Sequence, residues 1–248
     1  MIILKNKLEI ERMRDSGKIA ALAREIGGEC AKAGVTTAQI DTKIRQIITS
    51  HGATPSFLGY GGFPGSACIS VNDEVIHGIP GDRELKDGDI VKIDVGAFYK
   101  GFHSDCAATF AVGNITPNAK KLVEVTKQSF FEGIKFAAPN NRLGDISFAV
   151  QSFAESNGFS VVREFVGHGV GRDLHEDPSV PNFGTAGRGV RLRSGMVLAI
   201  EPMINEGVYD VTVLDNEWTV VTNDGKLSSH YENTVAITDD GPIILTAL

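Results

Sequence analysis

The stretch KIDVGAFYKGFHSDCA, residues 92–107, sets apolar residues on both sides of a Lys100-Gly101 pair and carries an aspartate in each flank, Asp94 and Asp105. A Lys-Gly pair between two β-prone runs reads as a two-residue hairpin loop, which places Tyr99 opposite Phe102 and Asp94 opposite Ala107. Side chains alternate along a strand, so Asp105, two positions from Ala107, falls on the same face as Asp94. Diagonal neighbours on one face stand about 7–8 Å apart, near enough for two side chains to converge on a shared cation. Two carboxylates among Ile, Val and Ala repel each other and lose hydration, so they require a positive partner or a bound proton. A metal, or a metal pair, supplies that partner. A solvent-facing strand surface is the plainer reading of these two residues alone, and the rest of the chain has to decide.

With 248 residues and 42% hydrophobic content, the chain can bury a large core as one domain or as two fused halves. Its formal charge of −7 is interspersed, with no basic stripe for nucleic acid or an anionic membrane. The opening MIILKNKLEIERMRDSG brings charge within five residues and builds no secretory core, and no segment approaches the roughly 20 apolar residues of a membrane span. A cytoplasmic location is expected. Cys30, Cys68 and Cys106 are odd in number, lack CxxC spacing and fit a reducing compartment without disulfides.

Residues 7–33 have the pattern of an amphipathic helix, opened by Asn6 and Glu9 and closed at Gly34. TTAQIDTKIRQIITSHG, residues 36–52, adds a Thr36/Gln39 capping box, apolar Ile40, Ile44, Ile47 and Ile48, and a stop at Gly52. Strands follow in SACISV, DIVKIDVGAFY and FHSDCAATFAV. The order then begins again: Thr116-Pro117 opens a helix, Pro139 ends the region, and RLGDISFAVQSFAESNG forms a shorter helix stopping at Gly158. An offset of 106 aligns Ile40 with Ile146, Ile44 with Val150, Ile47 with Phe153 and Gly52 with Gly158. Further strands are read in SVVREFVG, GMVLAIEPM, YDVTVL, EWTVVT and SSHYENTVAIT. Helices followed by strands, twice over, predict an α+β fold in one catalytic domain with halves of about 1–113 and 114–248, whose antiparallel sheets face each other.

Other candidate ligands lie in the second half: His168 between Gly167 and Gly169, Glu201 at the end of MVLAI before Pro202, and Glu232 in HYENTVAI. Each alone has a dull alternative as a turn histidine, a strand-end acid or an edge carboxylate. Four carboxylates and one imidazole together form an oxygen-rich set suited to manganese, iron or cobalt and able to accept zinc. Two such ions about 3.5–4 Å apart would polarise a carbonyl and activate a water, which is hydrolytic chemistry. GYGGFPGS and GHGVG lack the spacing of a phosphate loop, and HEDP lacks the second histidine of HExxH.

The ordered set Asp94, Asp105, His168, Glu201 and Glu232, flanked by HGIP, DGDIVKIDVG, GHGVGR, IEPM and YENT, closely resembles type I methionine aminopeptidases of the bacterial form over nearly the whole chain. The resemblance implies the pita-bread fold, with a dinuclear centre between pseudo-symmetric halves. It also implies removal of the initiator methionine from nascent polypeptides when the second residue is small. Nothing in the sequence resembles a dedicated dimer segment, so a monomer is expected, and a transient ribosome contact stays open. By the same resemblance Asp94 would hold one metal through both oxygens, Asp105 and Glu232 would bridge, and His168 would complete one shell. Glu201 would be ligand and proton acceptor. His77 and His175 match the histidines that contact the scissile peptide, and Tyr60, Phe63, Cys68 and Trp218 are nominated for the methionine pocket. Leu174, where an aromatic is common, and Phe57, where a small residue or cysteine is common, depart from the pattern and put the pocket's shape in question. His51 and His103 read as structural or exposed, as does His230, which stands close to Glu232 and could support it. The rival readings are an X-Pro aminopeptidase or prolidase, which shares the five ligands, and a non-catalytic binding protein on the same fold. The first usually carries an extra N-terminal domain and the second usually loses ligands. The 31-residue step from Glu201 to Glu232 leaves no room for the insertion of the type II enzymes.

Overall fold

In the computed structural model, which describes Met1–Leu248, Lys100 and Gly101 both adopt positive φ, 50° and 82°. That pair of angles closes a tight hairpin between the ten-residue strands Ile90–Tyr99 and Phe102–Ala111. The register sets Tyr99 opposite Phe102, Gly96 opposite Asp105 and Asp94 opposite Ala107, so the two aspartates are diagonal neighbours on one face. Thr54–Pro55 and Cys68–Val71 pair along the other edge of Ile90–Tyr99, with Cys68 directly opposite Asp94.

Two helices cover this sheet, α1 (Lys7–Cys30) and α2 (Thr37–Ser50), opened by the Asn6/Glu9 and Thr36/Gln39 capping boxes. Ile19, Ala20 and Ala23 of α1, with Ile40, Ile44 and Ile48 of α2, pack on Ile69, Ile93 and Val95 of the sheet. The sequence pattern carries α1 to residue 33, whereas the helix ends at Cys30. Gly34 turns the chain with φ 85°, and its N–H bonds to the Leu85 carbonyl while Val35 and Leu85 pair in return. Those long-range bonds require the chain to have left the helix before Gly34.

In the second half, α3 (Pro117–Ile134) and α4 (Leu143–Ser156) cover a five-stranded antiparallel sheet. Its strands run in the order 241–244, 233–238, 197–200, 167–169, 176–180. Phe130, Leu143 and Ile146 meet Leu198, Ile200 and Val235 in its core. Two three-stranded sheets complete the fold: 228–230 with 203–205 and 160–161, and 211–213 with 220–222 and 74–76. No helix is long and apolar enough to cross a membrane.

Several predicted strands are shorter or broken: YDVTVL and EWTVVT keep only Val211–Val213 and Val220–Thr222, and GMVLAIEPM divides into Val197–Ile200 and Met203–Asn205. SVVREFVG contributes only Ser160–Val161 before the chain leaves the sheet and re-pairs at Gly167–Gly169. SSHYENTVAIT divides into Ser228–His230 and Asn233–Thr238. The break has a cause. Pro202, across from Tyr231, accepts the Tyr231 N–H but has no N–H to return, so both strands change sheet partners there. Glu201 and Glu232 sit at that changeover. Glu232 pairs instead with Ala107: the two residues exchange both backbone hydrogen bonds, at 2.9 and 3.3 Å. Beside them the Thr234 hydroxyl receives the Asp105 N–H at 2.9 Å and donates to the Asp105 carbonyl at 2.8 Å. These bonds join the two main sheets along Phe102–Ala111.

Candidate metal centre

A single row of backbone pairing builds the centre. Cys68 lies opposite Asp94, Asp94 opposite Ala107, and Ala107 opposite Glu232. Asn233 pairs with Ile200, so one residue on, Glu232 stands across from Glu201. His168 pairs with Ala199, two residues before Glu201, and therefore shares its face. Ala107 and Ala199, both wholly buried, are the small side chains in this array. A longer side chain at either would fill the space onto which the carboxylates converge.

The distances suit a shared ion better than direct hydrogen bonds. His168 Nε2 is 3.8 Å from both Asp105 Oδ2 and Glu201 Oε1, beyond hydrogen-bond range. Two donors each about 2.0–2.2 Å from one cation are separated by distances of this order. The His168 Nδ1–H donates to the Gly169 carbonyl at 2.9 Å, so the Nε2 lone pair faces inward. Asp105, His168 and Glu232 offer one set of converging donor atoms, and Glu201, His230 and Glu232 another. Asp94 Oδ1, Asp105 Oδ1 and Glu232 Oε1 are buried without any hydrogen-bond partner, a state that polar groups rarely tolerate unless a ligand completes them.

Electrostatics point the same way. Burial pushes the Asp94 carboxyl up to about 7 and Glu201 up to about 8. Burial also raises Asp105 and Glu232 well above the ordinary range, and each is pushed further by the carboxylates beside it. Burial, with neighbouring His175, lowers His168 to about 3, so its imidazole is neutral and free to ligate. Four carboxyl groups that cannot ionise together, around neutral nitrogen, form a site that divalent metal relieves. The donor set fits such an ion.

Above these residues is a cavity of about 160 Å³, lined by all eleven residues nominated in the sequence for the metal, the scissile peptide and the methionine pocket, and by Phe57 and Leu174. It is smaller than the few hundred Å³ of a drug-sized pocket and suits one side chain. Phe57, Phe63, Cys68 and Leu174 form a buried apolar cluster against which Trp218 packs, its ring edge-on to Phe63 at 5.1 Å. The two positions that depart from the family pattern, Phe57 and Leu174, are thus part of the wall. His77 takes φ 58°, an uncommon conformation for a residue with a side chain, at the end of Glu74–Ile76. Its ring stands edge-on to Trp218 and Phe165. Burial lowers its basicity to about 4. His175 bonds through Nδ1 to the Tyr60 hydroxyl at 2.8 Å, and its ring lies 4.1 Å from that of His168. His51 is exposed at the end of α2, and His103 bonds to the Ser56 hydroxyl at 2.9 Å outside the cavity lining. His230, read from the sequence as a possible support for Glu232, lies among the carboxylates. It is 1% exposed, with Nε2 3.5 Å from Glu201 Oε2. Its place two residues before Glu232 was the one available signal.

A buried carboxylate and imidazole centre between two helix-covered antiparallel sheets defines a metallopeptidase of the pita-bread type. The model of metallopeptidase family M24 matches residues 11–239, and the chain belongs to that family. Within it, the chain is 60% identical to a methionine aminopeptidase of Clostridium perfringens over the full length of both. The crystal structure of a methionine aminopeptidase from Thermotoga maritima superposes with a TM-score of 0.98 at 46% identity, covering 100% of each chain. A prolidase from Pyrococcus furiosus shares the fold, with a TM-score of 0.81 at 24% identity, and this chain spans 66% of its length.

Proposed function

We infer that the chain is a metal-dependent aminopeptidase that removes N-terminal methionine from polypeptides whose second residue is small. The observation that carries this reading is the convergence of four buried carboxylates and His168 on the floor of an apolar pocket sized for one side chain. Whole-chain identity to methionine aminopeptidases, against fold-level likeness alone to prolidases, supports this substrate over X-Pro peptides. The two halves, 1–113 and 114–248, act as one catalytic domain with the centre where their sheets join. The working setting we propose is the cytoplasm, where a monomer acts on nascent chains.

Asp94, Asp105, His168, Glu201 and Glu232 would hold the metal pair, the carboxylates neutralising its charge and the neutral His168 imidazole donating through Nε2. Manganese, iron or cobalt fits this hard, carboxylate-rich set, and zinc is acceptable to it. When bound, the pair supplies Lewis acidity and a water of lowered pKa. Glu201 accepts a proton from the attacking water at its carboxylate. His77 and His175 are held neutral by burial. In the tautomer in which the Tyr60 hydroxyl donates to His175 Nδ1, the ring proton resides on Nε2, available to the scissile carbonyl oxygen. Phe57, Phe63, Cys68, Leu174 and Trp218 receive the methionine side chain and exclude water. The test is a cleavage assay on Met-Ala-Ser and on an X-Pro dipeptide, with metal-free protein and each divalent metal added separately. Release of methionine from the first alone supports the reading, and preferential cleavage of the X-Pro peptide overturns it.

A further inference from the structure

His230 is a wholly buried imidazole with no hydrogen-bond partner on either ring nitrogen. Few neutral rings are left so: a buried histidine ordinarily donates one N–H and finds a partner for the other nitrogen. Its backbone is firmly placed, with the N–H donating to the Thr109 hydroxyl at 3.0 Å and the carbonyl receiving that hydroxyl's proton at 2.8 Å. From there Nε2 points at two carboxylates, 3.5 Å from Glu201 Oε2 and 3.9 Å from Glu232 Oε2. The separation from Glu232 is the same kind that His168 Nε2 shows toward Asp105 and Glu201, long for hydrogen bonds and suited to donors around one cation. The two arrangements share Glu232 and use opposite oxygens of Glu201, Oε1 toward His168 and Oε2 toward His230.

We propose that His230 is a direct metal ligand through Nε2, giving the centre of this chain a second imidazole that shares Glu201 and Glu232 with it. The assignment rests on the metal-dependent reading above. Ligation by His230 would place nitrogen on the Glu201 side of the centre and hold that carboxylate's outer oxygen toward metal.

The experiment uses the full chain carrying isotope-labelled histidine, titrated with zinc and followed by nitrogen resonances of the imidazoles. Two rings, His168 and His230, are expected to show the coordination shift at Nε2. His230→Gln should remove one of the two signals and weaken zinc binding by at least about 10-fold, the lower end of what even indirect partners of a metal cost. A shift of His168 alone in the wild-type protein overturns the assignment, even if His230→Gln lowers affinity, because His230 would then only orient Glu201. The wild-type signal count decides the matter should the variant fold poorly. Zinc that shifts neither ring would sink the metal-centre reading itself, a result distinct from the failure of His230 alone.

Discussion

Metal binding to this centre should be strongly pH-dependent, and the size of the effect follows from the carboxyl groups. Glu201 is held up at about 8 and Asp94 at about 7. In the metal-free protein both therefore retain protons near neutrality, which an incoming ion must displace. At pH 6.5 Glu201 is about one part in thirty ionised and Asp94 about one part in four, while at pH 8 the fractions are about one half and nine-tenths. These two groups by themselves should raise apparent affinity roughly 50-fold across that interval, on the order of 2 kcal/mol, with proton release as metal binds. Asp105 and Glu232, also raised, push in the same direction. His168 offsets none of this, because burial keeps it neutral down to about 3. Calorimetric titration with manganese at the two pH values, in buffers of different ionisation heat, measures both affinity and protons released. Glu201→Gln should remove the roughly 15-fold share of Glu201 and leave the shares of Asp94, Asp105 and Glu232. Equal affinity at both pH values, with no proton release at the lower one, would refute the view that buried, protonated carboxyls form the empty site.

Asp105→Ala and Glu232→Ala are each expected to abolish activity with any metal and to lower metal stoichiometry, while circular dichroism shows the fold retained; near-wild-type turnover in either would contradict a bridging role. His77→Ala and His175→Ala should lower turnover by about 10²–10⁴-fold with metal content unchanged, as for lost contacts to the scissile carbonyl. Metal loss in those two variants would show them to be ligands instead. A peptide Met-Ile-Ile-Leu should stay intact under conditions that cleave Met-Ala-Ser, because a branched second residue displaces the scissile bond and angstrom-scale misplacement costs on the order of 10²-fold; comparable methionine release from both would remove the second-residue filter. Gly17→Ala should destabilise the protein by about 1–3 kcal/mol in urea unfolding, since its Cβ would press into the Leu245 carbonyl, a backbone atom that cannot swing aside.

The first sheet and its two aspartates were legible from sixteen residues because a two-residue turn leaves only one register, and the register fixes which side chains share a face. The capped helices were legible for a similar reason: Asn6/Glu9 and Thr36/Gln39 are local and periodic signals. The rest of the site depended on pairing between residues far apart in sequence. Nothing local announces that Ala107 bonds to Glu232, or that Thr234 locks onto Asp105, yet those bonds carry Asp94 and Glu201 to the same floor. Short strands such as Thr54–Pro55 and Glu176–Val180 were missed because two to five residues, including a proline, hold too little periodicity to read. His230 and Glu232, two residues apart, would share a face on a continuous strand through SSHYENTVAIT, but their meeting with Glu201 depends on the changeover opposite Pro202, which no local pattern announces. Proline at that point thus does more than end a strand. By withholding one N–H it frees Glu232 to pair with the first sheet, and the centre forms where the regular ladder is interrupted.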